Sequence, residues 1–185
     1  MTSPPAPPPR RRSDAERNRM RILDAAREVL ADRAAEFSMA QVARRAGVGM
    51  ATLYRNFPGR RELLETLFAE EVDELCRAAG DVSGPPGDAL LTWLRRFAVF
   101  HGNKHPIAAE LLRHTDAADP VFGSSRDRVL AAGRPLLLAA QEAHEARPDL
   151  TLDQVLDLVL AATTIPGDRA YIEPILQAAL DGLRG

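Results

Sequence analysis

The chain has 185 residues, 45% of them apolar and 5% aromatic, with one cysteine and a formal net charge of −2. A lone Cys76 excludes an internal disulfide and a cysteine-based zinc site, and the dominance of Ala and Leu favours helix over sheet. No run approaches the ~18–20 apolar residues that span a bilayer, and no apolar stretch follows the basic N-terminus, so neither a membrane helix nor a secretory signal is expected and the location is read as cytoplasmic.

Residues 1–12 form a Pro-rich basic arm with Arg10, Arg11 and Arg12, too poor in apolar groups to fold alone and expected to be disordered. Ser13-Asp14-Ala15-Glu16 has the capping-box form, a hydroxyl followed three residues later by a carboxylate. Behind it Ile22, Leu23, Ala26, Val29 and Leu30 recur at helical spacing, predicting a first helix to about Arg33. Ser38-Met39-Ala40-Gln41 is a second such box and opens a short helix through Arg45, which Gly47 ends because a left-handed cap costs glycine nothing. A third short helix is expected from Met50 to Asn56. After Pro58-Gly59 a fourth begins near Arg60, with Leu63, Leu64, Leu67, Phe68, Val72 and Leu75 on its apolar side.

Beyond a Gly/Pro-rich turn at 81–87, every convincing segment is helical. Helices are expected at Asp88–Phe100, Ile107–His114, Phe122–Ala146 with Pro135 inside, Leu152–Thr164 behind the box Thr151-Leu152-Asp153-Gln154, and Ile172–Leu183. No run alternates as a strand does, so the class is all-α. Charge divides with the architecture: residues 1–61 carry 13 Lys+Arg against 6 Asp+Glu, and residues 62–185 carry 11 against 20. A basic front on an acidic back confines polyanion contact to the first third of the chain.

The segment Ser38–Phe57 reads SMAQVARRAGVGMATLYRNF. Two short helices joined by three residues must cross steeply. They need a small residue at the crossing, a glycine in the turn and a long apolar anchor on the second helix. Ala43, Gly47 and Leu53 take those places, which is helix-turn-helix spacing.

Continued to Leu64, the stretch VARRAGVGMATLYRNFPGRRELL resembles the DNA-binding domain of the tetracycline-repressor (TetR) family, and the likeness runs from about Arg19 to Leu67. Three positions depart from the family's pattern: Gly49 stands where Ser is common, Asn56 where His or Tyr is common, and Arg60 where Lys is common. The resemblance implies a helix-turn-helix head at 13–61 on a helical effector-binding and dimerisation body at 62–185. It also places Met50, Ala51, Thr52 and Arg55 on the groove-facing side of a recognition helix. Arg55 suits a bidentate bond to guanine and Thr52 a phosphate or thymine methyl. Tyr54 matches the family's phosphate-contacting tyrosine, Asn56 lies at the edge of the same surface, and Ser38 serves as cap and phosphate donor. Arg60 at a helix start suits a backbone phosphate, and Arg10, Arg11 and Arg12 either track the minor groove or only solubilise the arm. The implied function is a homodimeric, sequence-specific regulator on a double-stranded palindromic operator, a repressor released by a small molecule. Two alternatives stay open: an activator or ligand-independent regulator on the same fold, and a helical protein-interaction module.

In the body, Trp93, Phe97, Phe100, Leu111, Leu112, Phe122 and Leu137 are candidate lining for a small apolar or aromatic effector, with ordinary core as the competing reading. Leu152, Val155, Leu156, Val159 and Leu160, with Ile172, Ile175, Leu176, Ala179 and Leu183, are read as an intermolecular four-helix interface. His101 and His105 have i, i+4 spacing, but Gly102, Asn103 and Pro106 point to a helix end or loop there, and no metal or other cofactor is expected. No phosphate loop, nucleophile elbow or carboxylate–histidine set supports an enzyme. Cys76 is read as a small apolar filler.

Overall fold

The computed structural model describes residues 9–32, 37–113 and 120–185, with the side chains of 9–13, 102–105 and 120 left out. The helices are α1 (Pro9–Ala31), α2 (Met39–Ala46), α3 (Met50–Asn56), α4 (Arg60–Asp81), α5 (Pro86–Leu112), α6 (Pro120–Glu142), α7 (Leu152–Thr164) and α8 (Arg169–Asp181). Among the described residues there is no strand, only an isolated bridge between Ala146 and Arg184. None of the described helices is long and apolar enough to cross a membrane. The chain divides into a head, Met1–Leu67, and a body, Phe68–Gly185, with the boundary inside α4.

In the head, Ile22, Leu23, Ala26 and Val29 of α1 are buried together with Val42, Ala43 and Ala46 of α2 and Leu53 of α3. Complete burial of side chains such as Ile22, Val42 and Leu53 stabilises by ~1.5–3 kcal/mol each, which holds two helices too short to persist alone. Helix α1 starts at Pro9, so part of the arm expected to be disordered is helical. Proline suits a first turn, where an amide N–H would lack a partner anyway. The Ser13 box therefore lies inside a helix rather than at its start. Residues 1–8 lie outside the described residues.

In the body, α5, α6 and α7 pack on one another more closely than any of them packs on α4. Trp93 of α5 is fully buried and donates its indole N–H to the Leu75 carbonyl of α4 at 3.2 Å. It lies so close to α6 that a Cβ at Gly133 would overlap its ring. Phe68 and Phe122 meet edge to face with centroids 5.4 Å apart, and Arg128 of α6 pairs with Asp73 of α4. The two segments read as Asp88–Phe100 and Ile107–His114 are one helix, α5, with Pro106 inside it. Thus the loop or helix end expected at His101–His105 is helical backbone. Phe97, Phe100, Ile107 and Leu111 are all buried at helical spacing along α5, and that continuous apolar face outweighs the local breakers.

Helix α7 begins where its box places it. Thr151 accepts from the Gln154 amide at 3.3 Å, and the Gln154 side chain accepts from the Thr151 amide at 2.9 Å. The α6–α7 connection also reaches back: the Glu145 carboxylate accepts from the Gly87 amide at 2.6 Å, capping the start of α5 from 58 residues away.

Candidate nucleic-acid interface

The interface is built on α2, its turn and α3. Ser38 has extended backbone and accepts from the Gln41 amide at 3.2 Å, so α2 is capped as expected. The reciprocal half of that box is missing, and the Gln41 side-chain oxygen is buried without a hydrogen-bond partner among the described residues. Gly47 takes φ 64°, a left-handed cap, and Val48 donates to the Ala43 carbonyl at 3.0 Å, closing α2 and aiming the chain into α3. Gly49 caps α3 through its carbonyl alone, which accepts from Thr52 and Leu53. A serine there would add a hydroxyl cap.

Leu53 and Phe57 anchor α3 beneath, each at most 1% exposed, and the Arg19 guanidinium lies 4.6 Å from the Phe57 ring centre. With that face buried, the opposite one is fixed outward. Met50 is 40% exposed and Tyr54 47%, while Ala51 and Arg55 are also exposed. Arg55 donates from Nη2 to the Thr52 hydroxyl at 2.9 Å. That bond holds the guanidinium along the helix surface, leaving its other donors available. Asn56 turns back, donating to the Thr52 carbonyl at 2.8 Å. It therefore acts as a helix-end tie, and its amide is less available to a phosphate than the sequence suggests.

Arg60 is half-buried, its guanidinium 5.0 Å from the Phe37 ring centre, a cation–π placement at the start of α4. This link from Arg60 to Phe37 was not read from the sequence, because the pair is 23 positions apart with no motif joining it. Arg10, Arg11 and Arg12 belong to α1, and their side chains lie outside the described residues.

The body places its candidate residues differently. Trp93, Phe97 and Phe100 form a row along α5 with successive ring centres 6.4 and 6.3 Å apart. These three are buried, as are Leu111 and Leu137, while Phe122 is half-buried and Leu112 is 46% exposed. Leu112 therefore points to solvent rather than into a pocket. A cavity of about 570 Å3 lies between α4 and α5, and of the seven candidates Phe100 alone lines it. Its charged lining is Glu71, Glu74, Arg77 and Asp81 of α4 with Arg95 and Arg96 of α5, and no sequence motif marks it. Cys76 is half-buried: burial pushes its thiol pKa up, Arg128 opposes that, and Asp73 reinforces it. Among the described residues no His/Cys/Asp/Glu cluster suited to a metal occurs.

The interface expectation needs correction. Leu152, Val155, Leu156 and Val159 of α7 are at most 4% exposed within one chain, and Leu176 and Leu183 are also buried. They are internal core and are not available to a second copy. What α7 and α8 leave outward is Leu158 with Ala161 and the stripe Tyr171, Pro174, Ala178, with Leu160, Ile165, Ile172, Ile175 and Ala179 half-buried at their edges.

Comparison with known proteins agrees with this architecture. Residues 22–67 match the family model for bacterial regulatory proteins of the tetR family, and residues 85–185 match the C-terminal domain of SbtR-like transcriptional regulators. A TetR transcriptional regulator of Streptomyces coelicolor, SCO0520, is 35% identical over 90% of this chain and 98% of its own, with a TM-score of 0.71. A TetR regulatory protein of Mycobacterium vanbaalenii is 27% identical over 94% and 99%, with a TM-score of 0.75. The HTH-type transcriptional repressor LfrR of Mycolicibacterium smegmatis is 41% identical over 81 residues, 44% of this chain and 42% of that repressor. With its helix-turn-helix geometry and both of its units matched, the chain belongs to the TetR family of transcriptional regulators.

Proposed function

We propose that the protein is a homodimeric repressor that binds a palindromic operator and is released by a small-molecule effector. The observation that carries the DNA-binding part is α3 itself, a helix buried through Leu53 that presents Met50, Ala51, Tyr54 and Arg55 outward. Arg55 suits guanine O6 and N7, Met50 and Ala51 suit thymine methyls, and Tyr54 and Ser38 suit phosphates. The basic balance of the first 61 residues supplies the sequence-independent attraction. Similarity to a repressor over 81 residues supports repression rather than activation.

A two-fold operator requires two heads, their recognition helices about 34–36 Å apart. The outward stripes on α7 and α8 are the surface that would join two copies. An effector held in the body would release DNA by favouring a state whose heads no longer fit two half-sites, a shift that needs a few kcal/mol of preference.

The test is a mobility shift of the protein on DNA flanking its own gene, run across a salt series. A steep salt slope with preference over random DNA supports the reading. No shift at low salt would support a protein-interaction module instead.

A further inference from the structure

We propose that Arg19 of α1 is a further contact to the DNA backbone, set with Arg60 as a pair of guanidinium clamps that bracket the helix-turn-helix. The proposal rests on the reading of the head as a DNA-binding unit. Two buried phenylalanines flank the motif. Phe37, 4% exposed, stands before the Ser38 cap of α2. Phe57, 1% exposed, closes α3 by donating its amide to the Leu53 carbonyl at 2.9 Å. Each ring carries a guanidinium, Arg60 over Phe37 at 5.0 Å and Arg19 over Phe57 at 4.6 Å.

Charge balance sets Arg19 apart from its neighbours on α1. Arg17 pairs with Asp14, and Arg27 pairs with Asp24 at 3.0 Å. Arg19 is exposed, and among the described residues it makes neither an ion pair nor a side-chain hydrogen bond. A ring fixes the plane of a guanidinium without neutralising it, and the N–H donors along the edge of that plane stay available to a phosphate. A side chain already held in place also loses less freedom on contact than a loose one.

Position decides which part of the DNA Arg19 meets. A recognition helix reads bases with its N-terminal residues, so its C-terminal end lies toward the edge of the major groove, where the phosphates run. Phe57 stands at that end of α3, and Arg19 lies on it. The contact is therefore to the backbone, fixing how α3 sits in the groove and carrying no base preference of its own.

Anisotropy titrations of the full chain across a salt series test the assignment, on a short random-sequence duplex and on DNA flanking its own gene. Arg19→Gln keeps a planar group beside the ring and removes the charge. It is expected to flatten the slope of log K against log salt by about 0.9 for each head engaged and to weaken both duplexes alike, with Arg19→Lys restoring the slope. Arg60→Gln should flatten it by the same amount. The melting temperature by circular dichroism should not move in Arg19→Gln. A slope unmoved by Arg19→Gln or by Arg60→Gln would overturn the paired clamp. So would a slope that falls together with the melting temperature and is not restored by Arg19→Lys, which would leave Arg19 a lid on Phe57. A loss confined to the gene-flanking DNA would make Arg19 a base reader and overturn it too. A parent chain that binds neither duplex at low salt sinks the DNA-binding reading itself, whereas a parent that binds steeply and an Arg19→Gln variant that matches it sink this assignment alone.

Discussion

Thr52 and Arg55 are one turn apart on α3, and their hydrogen bond couples what each can do. An unrestrained arginine loses rotamer freedom when it settles on a base, so a guanidinium already tethered loses less. Arg55→Ala should remove ~1–3 kcal/mol of operator preference, the worth of a bidentate base contact, while binding to random DNA changes little. Thr52→Val keeps the shape but removes the acceptor. It should cost a smaller share of that preference, with Thr52→Ser restoring it, as read by competition between operator and scrambled DNA in mobility shifts. Equal losses on both DNAs for Arg55→Ala would remove its base-reading role. Cys76 bears on the residue scale in a different way. Burial raises its pKa, so less thiolate is present at a given pH. Its alkylation by iodoacetamide should accelerate only at pH values above those for an unperturbed thiol, and a midpoint at or below the ordinary value would contradict the placement.

The head's short helices depend on their ends. Gly47 has a left-handed φ of 64° with open space around it, so a side chain there meets strain and no clash. Gly47→Ala should cost about 1–2 kcal/mol through that backbone term alone. Gly49 has ordinary extended backbone and equally open space. Gly49→Ser should therefore stabilise by a few tenths of a kcal/mol as a hydroxyl cap forms. Opposite shifts of the head's melting temperature for these two neighbours, followed by circular dichroism, check the turn. These same features explain which elements were legible. Thr151 and Gln154 mark the start of α7 because both halves of a capping box are local. The continuity of α5 was not legible. Gly102, Asn103 and Pro106 break a helix by local rules, and only the shared burial of Phe100, Ile107 and Leu111 against other helices overrides them. Nor was the cavity between α4 and α5, because Glu74, Asp81 and Arg96 have the spacing of any solvated face until two helices are set opposite each other.

For the whole molecule, the question is which apolar residues of α7 face inward and which would face a second copy. Periodicity shows that a helix has an apolar face and is silent about whether the covering surface belongs to the same chain. The densest apolar positions, Val155, Leu156 and Val159, proved to be internal, and the outward surface beside them is thinner: Leu158 and Ala161 stand three apart on α7, and Tyr171, Pro174 and Ala178 recur at steps of three and four on α8. Val159 and Leu158 are therefore adjacent in sequence and opposite in expected effect. Val159 is fully buried, so Val159→Ala leaves a cavity and should lower stability, by an amount on the order of 1–3 kcal/mol, with the mass in solution unchanged. Leu158 is 40% exposed, so Leu158→Arg costs the single chain little but, in the proposed dimer, would set a charge against its symmetry mate. The expected outcome is a halved mass by light scattering with an unaltered helical spectrum. The same variant should lose most of its operator affinity, because a lone head reads one half-site and forfeits the gain of binding two together. A Leu158→Arg protein that keeps the mass and operator affinity of the parent would place the joining surface elsewhere on the body.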